Sequence, residues 1–276
     1  MKSFSAVLCF AVLLLGACKK NNDNSPNDYS SVKITAISDI PPFKYQGDRL
    51  VAIGNETFTY DNSGRIISSR IEHSDTVNNI ISGYIYKSTY TWTGNICSGS
   101  IADSLYTFSK TTTGKGVDSE HFENGNVLSS YGYNYVTSRL DSLTFMPGKW
   151  NTAYYTSVKF EYDAKGNISK AIAYVRDFVS TPGIPREIVV KITYQYDNHP
   201  NPFYAMYKKY GMVLPALQRF ADLVSPNNVI KMNIAIGNTI ELVQQYSYEY
   251  NHAGYPVKIV TNGGNITGQT TYISYE

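Results

Sequence analysis

Residues able to do chemistry are sparse on this chain, and those present are dispersed. Four histidines (His73, His121, His199 and His252) and three cysteines (Cys9, Cys18 and Cys97) are its nitrogen and sulfur ligands. They show none of the short spacing with which a structural zinc site gathers its donors, so no metal and no cofactor is expected. A Gly-x-Ser-x-Gly elbow, a His-Glu-x-x-His helix and a phosphate-binding glycine loop are all missing from the sequence. No catalytic residue is nominated, and the chain is not expected to be an enzyme. The competing expectation is a hydrolase of extracellular polymer with an unrecognised acidic site, which would need two carboxylates converging in a groove. Carboxylates do recur after tyrosines, at Asp61, Asp163 and Asp197, with Asn251 in the matching place. A calcium ion needs about six to eight oxygens around one point, and an isolated turn offers one or two. Trp92, Trp150, Tyr154 and Tyr155 are the remaining candidates, because a flat tryptophan or tyrosine face can stack on a sugar ring. Their plainer use is packing in cross-strand ladders.

The chain's beginning carries a different message. Lys2 supplies a positive charge, Ala6 to Leu15 form an unbroken apolar run, and Gly16 and Ala17 are small. That is the layout of a secretory signal peptide over residues 1–17. The run falls short of the roughly 20 apolar residues that cross a hydrocarbon core of about 30 Å. The tetrapeptide Leu15-Gly16-Ala17-Cys18 resembles the lipobox of bacterial lipoproteins, which implies acylation of Cys18 and cleavage before it. Residues 18–31, polar from Lys19 to Pro26, then read as a flexible tether. With Cys9 removed and Cys18 acylated, Cys97 has no partner for an intramolecular disulfide.

Composition narrows the class further. The formal net charge of +2 gives no reason to expect nucleic acid as a partner. The unusual number is 25 tyrosines beside only 17% charged residues. Tyrosine is a strand former that buries its ring and keeps its hydroxyl hydrogen-bonded.

A repeat positions these tyrosines. Four clear copies run Phe58-Thr59-Tyr60-Asp61-Asn62-Ser63-Gly64, Phe160-Glu161-Tyr162-Asp163-Ala164-Lys165-Gly166, Tyr194-Gln195-Tyr196-Asp197-Asn198-His199-Pro200 and Tyr248-Glu249-Tyr250-Asn251-His252-Ala253-Gly254. The third has proline where the others have glycine. Weaker copies centre on Gly47, Gly94 and Gly125, and a turn without glycine falls at Thr137-Ser138-Arg139. In each clear copy the Asp or Asn side chain can bond backbone amides ahead of it, and glycine three residues later can take the positive φ of a hairpin bulge. Asp61, Gly64, Asp163, Gly166, Asp197, Asn251 and Gly254 are therefore read as turn-structural. Period-two alternation before each turn, as in Val158, Phe160 and Tyr162, predicts strands with one buried face.

About eight hairpins in series make an all-β protein. The expected form is an antiparallel meander of consecutive hairpins in a long, twisted, curved sheet whose first and last hairpins are shortened or covered. One segment interrupts it. Period two stops between Asn201 and Asn228, and Leu217, Ala221 and Val224 are spaced for a helix over Pro215 to Val224. A short helical insertion near 203–224 should cover one face or end of the sheet through Leu214, Leu217, Phe220 and Val224.

Taken together, Tyr196-Asp197-Asn198-His199-Pro200-Asn201-Pro202-Phe203, Ser225-Pro226-Asn227-Asn228-Val229 and the tyrosine-aspartate turns resemble an uncharacterised Bacteroidota lipoprotein family of degenerate YD-type repeats, related to the sheets of RHS proteins. The resemblance implies a single repeat domain over residues 32–276, an extracytoplasmic address and no known activity. The expected role is that of a non-catalytic module held at the bacterial outer membrane by its lipid, on the cell surface or the periplasmic face. Glycan or protein is the expected ligand.

Overall fold

The computed structural model describes residues 32–38, 40–77, 80–94, 96–111, 121–122, 127–136, 139–147, 154–177, 186–212, 224–237, 240–264 and 266–276. Within them the alternating segments form seventeen strands of one sheet. The first eight are β1 (Ile34–Ile37), β2 (Phe43–Gln46), β3 (Arg49–Ile53), β4 (Glu56–Tyr60), β5 (Ile66–Val77), β6 (Ile80–Thr93), β7 (Ile96–Thr111) and β8 (His121–Phe122). After them come β9 (Val127–Val136), β10 (Arg139–Pro147), β11 (Tyr154–Tyr162), β12 (Ile168–Asp177) and β13 (Arg186–Pro200). A helix, α1 (Pro202–Tyr210), precedes β14 (Asn227–Ile236), β15 (Ile240–Tyr250), β16 (Pro256–Gly263) and β17 (Ile266–Tyr275).

Neighbours pair antiparallel in chain order, as short turns require. The expected hairpin at Gly125 is a correction to this order. β8 and β9 both pair with β7, Phe122 opposite Tyr106 and Val127 opposite Asp103, so they lie end to end along one edge.

The sheet also closes on itself, where an open sheet with managed edges was expected. β1 pairs with β17, Ile37 facing Ile273 and Ile34 facing Tyr275. β1 is joined to β2 by the bridge between Ile37 and Ile40 and by Tyr45, whose Oη donates to the Ile34 carbonyl at 3.0 Å. The two edges solve each other's exposure, giving a nearly closed barrel.

Inner and outer walls differ in chemistry. Phe58, Phe160, Ala171, Ile259 and Ile273 face inward and are buried. Lys159, Glu161, Lys191, Thr193, Gln195, Gln245, Ser247 and Glu249 alternate with inward residues and are exposed. On that outer wall Glu161 faces Lys170 and Glu249 faces Lys258 across neighbouring strands, with Nζ to Oε1 distances of 2.8 and 2.7 Å.

The buried core gathers at one end, where the tight turns lie. Ile34, Leu50, Ile66, Leu140 and Ile168 are fully buried there, each shortly after a turn or at the start of a strand. The segment from Asn201 to Met212 lies against them, contributing Met206, Tyr210 and Met212 to the same core. α1 falls at the start of the helical insertion expected near 203–224. Residues 213–223, which hold most of the predicted Pro215–Val224 helix, lie outside the described residues, and Val224 is buried in the core. The local signals for α1 are plain in retrospect. Asn201 caps it by accepting from Phe203 N at 3.0 Å, Pro202 takes the first position, and Gly211 ends it at φ 65° with its N–H on the Tyr207 carbonyl.

Candidate functional site

Three of the nominated turns have one geometry. In each, the Asp or Asn backbone N–H reaches a carbonyl four residues on: Asp61 to Arg65, Asp163 to Asn167 and Asn251 to Tyr255, all at 2.9 Å. Its Oδ1 accepts two amides ahead, those of Ser63 and Arg65, of Lys165 and Asn167, and of Ala253 and Tyr255, at 2.8 to 3.0 Å. Gly64, Gly166 and Gly254 take φ of 80°, 88° and 81°, where a side chain is strained. The preceding tyrosine then pairs with the residue after the turn: Tyr60 with Ile66, Tyr162 with Ile168, and Tyr250 with Pro256.

Asp197 does not close such a turn, which corrects its reading. Proline at 200 has no N–H to return to the Asp197 carbonyl and cannot reach positive φ. The chain leaves, runs through α1, and comes back at Asn228. Asp197 Oδ1 accepts His199 N at 3.0 Å and Asn228 N at 3.1 Å, and Asn228 Nδ2 lies 3.2 Å from Asp197 Oδ2. In the closed turn, Asp163 Oδ1 accepts Asn167 N at 2.9 Å and Oδ2 accepts Asn167 Nδ2 at 3.2 Å. Asn228 thus stands where Asn167 stands, and Val229 pairs with Tyr196 as Ile168 pairs with Tyr162. Residues 201–227 are spliced into a repeat turn.

The neck of the splice is buckled by amides. Asn201 N donates to the Pro226 carbonyl at 2.8 Å and Asn201 Nδ2 to the Ser225 carbonyl at 2.9 Å. Asn227 and Asn167 exchange bonds at 3.0 and 3.1 Å. Beneath the neck, the amides of Leu50, Cys97 and Ile168 donate to Tyr210 Oη, the Gly211 carbonyl and Ser225 Oγ at 3.2, 3.0 and 3.1 Å. Three separate hairpins are capped by one plug.

Tyrosine hydroxyls stitch the hairpins together. Tyr162, Tyr196 and Tyr275 donate to the carbonyls of Leu140, Ile168 and Pro256 at 2.6, 2.7 and 2.7 Å, and Tyr60 and Tyr248 donate likewise to Leu50 and Val229. Trp92 occupies a rung of this ladder. It is half-buried, with Nε1 on the Ile66 carbonyl at 2.8 Å and the Arg65 guanidinium 5.8 Å from its ring. Trp150 and Cys18 lie outside the described residues.

Two polar sites were not read from the sequence. Inside the barrel Glu56 is buried beside Ser69, whose Oγ lies 2.9 Å from Tyr90 Oη. Burial raises the Glu56 carboxyl above its ordinary value, and the Ser69 hydroxyl opposes that shift. Its signal was period two, since Glu56 shares a face with Phe58 and Tyr60. At the plugged end, a cavity of about 150 Å³ opens between α1 and the β11–β12 turn. Arg139, Lys165 and Lys208 bring cations to it from three elements, and Tyr162, Tyr204 and Tyr207 wall it. Lys165 Nζ donates to Asn198 Oδ1 at 2.6 Å, and the Arg139 guanidinium sits 5.4 Å from the Tyr162 ring centre. Burial pushes the Tyr207 phenol up to about 12, against the opposing pull of its hydrogen bond with Tyr135. No signal in the sequence joins these cations, because only the splice brings α1 against the turn.

Among the described residues no group of three or more His, Cys, Asp or Glu side chains could hold a metal ion. No protein-family model and no curated protein matches the sequence. Among solved structures, the chain is similar to a porin-like protein from Bacteroides vulgatus, with 11% identity and a TM-score of 0.47 over 89% of this chain and 99% of that one. A porin-like protein from Bacteroides uniformis is similar at 13% identity and a TM-score of 0.38, over 80% of this chain and 89% of that one.

Proposed function

We propose that this chain is a non-catalytic binding module of the outer membrane, held there by a lipid on Cys18 with its barrel standing in water. The observation that carries the reading is the outer wall. Lys159 and Lys191 project from mid-strand positions and Glu161 and Glu249 from nearer the turns, and a lysine on a lipid-facing wall costs about 2–4 kcal/mol at the bilayer midplane. A wall that alternates such residues with buried phenylalanine and isoleucine has its apolar side inside, the reverse of a barrel bathed in lipid. Attachment to a membrane then falls to the N-terminal segment, and the lipobox-like Leu15-Gly16-Ala17-Cys18 supports it.

The test separates wall from anchor. Metabolic labelling with a fatty acid should mark the wild-type chain and leave Cys18→Ser unmarked. The Cys18→Ser chain should then stay folded and monodisperse in buffer without detergent, and should capture a glycan or protein from an extracellular extract. A variant that needs detergent to remain folded would overturn the water-facing wall.

A further inference from the structure

We propose that the cleft between α1 and the β11–β12 turn binds a carboxylate-bearing sugar ring. This deepens the binding-module reading and rests on it. Arg139 arrives at the start of β10, Lys165 from a repeat turn and Lys208 from the last turn of α1, so three like charges line one cleft. Their mutual repulsion is relieved by an anion placed among them. Lys165 spends one of its three donors on Asn198, and the carboxylate of Asp163 is occupied by the amides of Lys165 and Asn167. Asp141 is the nearby acid, its charge felt at the Tyr162 phenol.

Size and walls decide which anion. The cavity of about 150 Å³ is well below the roughly 300 Å³ at which drug-sized pockets begin, and equals about five waters, the room of one six-membered ring with its substituents. A bare phosphate would use the cations alone. Tyrosine rings beside them suit the apolar face of a sugar. Leu140 and Val224 are buried at the same cleft, giving it an apolar floor.

Titration calorimetry on the purified chain with trigalacturonate, maltotriose and inorganic phosphate reads this directly. Trigalacturonate should bind and maltotriose should not. Lys208→Gln and Arg139→Gln should each weaken trigalacturonate about tenfold, Lys208→Gln with no change in melting temperature because its side chain is exposed, and Arg139→Gln with only the small loss of its contact with the Tyr162 ring. Lys191→Gln on the outer wall should leave affinity unchanged. Phosphate displacing trigalacturonate at equal concentration would overturn the sugar assignment, as would unchanged affinity in both cation variants. A chain that ignores trigalacturonate yet captures another glycan or a protein loses this cleft and keeps its role as a binding module. A chain that captures nothing loses both.

Discussion

The turns at Asp163 and Asp197 begin alike and end differently. Both follow a Tyr-x-Tyr or Phe-x-Tyr strand, both place the carboxylate Oδ1 on the amide two residues ahead, and both return a carboxamide to Oδ2. The fourth residue parts them. Gly166 takes φ of 88° and sends its N–H back to Asp163, whereas Pro200 can do neither. The first turn closes at once; the second admits residues 201–227 and closes on Asn228 instead. A repeat can thus take in a further segment without losing register, because the acceptor that ends the turn is met by Asn228 where Asn167 meets it in the closed turn.

The largest effect should fall on the spliced segment itself. Met206→Ala removes a fully buried side chain from the plug and should cost about 2–5 kcal/mol in urea melts. A loss near zero would mean that the opened turn carries a segment the core does not use. Asp197→Ala should come next, at about 2–3 kcal/mol, since it removes the acceptor of the buried Asn228 backbone N–H and of the Tyr250 hydroxyl. The matched Asp163→Ala should cost less, about 1 kcal/mol, because no tyrosine hydroxyl rests on Asp163 and Asn167 Nδ2 keeps Asn227 Oδ1 as an acceptor. Equal losses at the two sites would break the comparison.

Gly166→Val tests the closed turn at its other pole. A β-branched residue at that positive φ, with Pro226 Cγ 3.8 Å from where its Cβ would sit, should cost about 1 kcal/mol or more. Full stability in the same melts would remove φ as the discriminating feature. The smallest effect concerns Glu56, away from both turns, and sets a baseline. A carboxyl whose value is raised on folding favours its neutral form there. Wild type therefore loses stability as pH rises from the ordinary 4.5 through the raised folded value. Glu56→Gln should match wild type below that window and exceed it above. A variant less stable than wild type at neutral pH would show that the carboxylate is satisfied by partners other than Ser69.

What the sequence discloses follows the distance over which each feature is specified. Asp61, Asp163 and Asn251 hold amides two and four residues away, so their turns are readable from seven letters. Asp197 misleads for the same reason, since its acceptor role is completed by Asn228, beyond the window in which turn chemistry operates. α1 was within reach, because Asn201, Pro202 and Gly211 are ordinary start and stop signals. Period two broke at Asn201 while apolar spacing drew attention to Pro215–Val224. Tyr162 could be assigned to a strand but not to the Leu140 carbonyl, and Trp92 could not be divided between ladder and platform until Ile66 was seen beneath its Nε1. Closure of the sheet has no local mark at all, for Ile37 and Ile273 meet only in the finished barrel. The cationic cleft is further still from the sequence, being a by-product of the splice.

The seam between β1 and β17 sets the order in which this protein can become whole. Each strand from β2 onward finds its neighbour as soon as the next hairpin emerges, a sequence of local closures that is fast. β1 must wait, since its partner spans Ile266–Tyr275 at the far end of the chain. Until that last strand is in place the growing sheet keeps a live edge that advances with every hairpin, able to recruit a strand from another molecule. Chaperoning, for such a chain, is a matter of guarding that border until β17 meets the waiting β1.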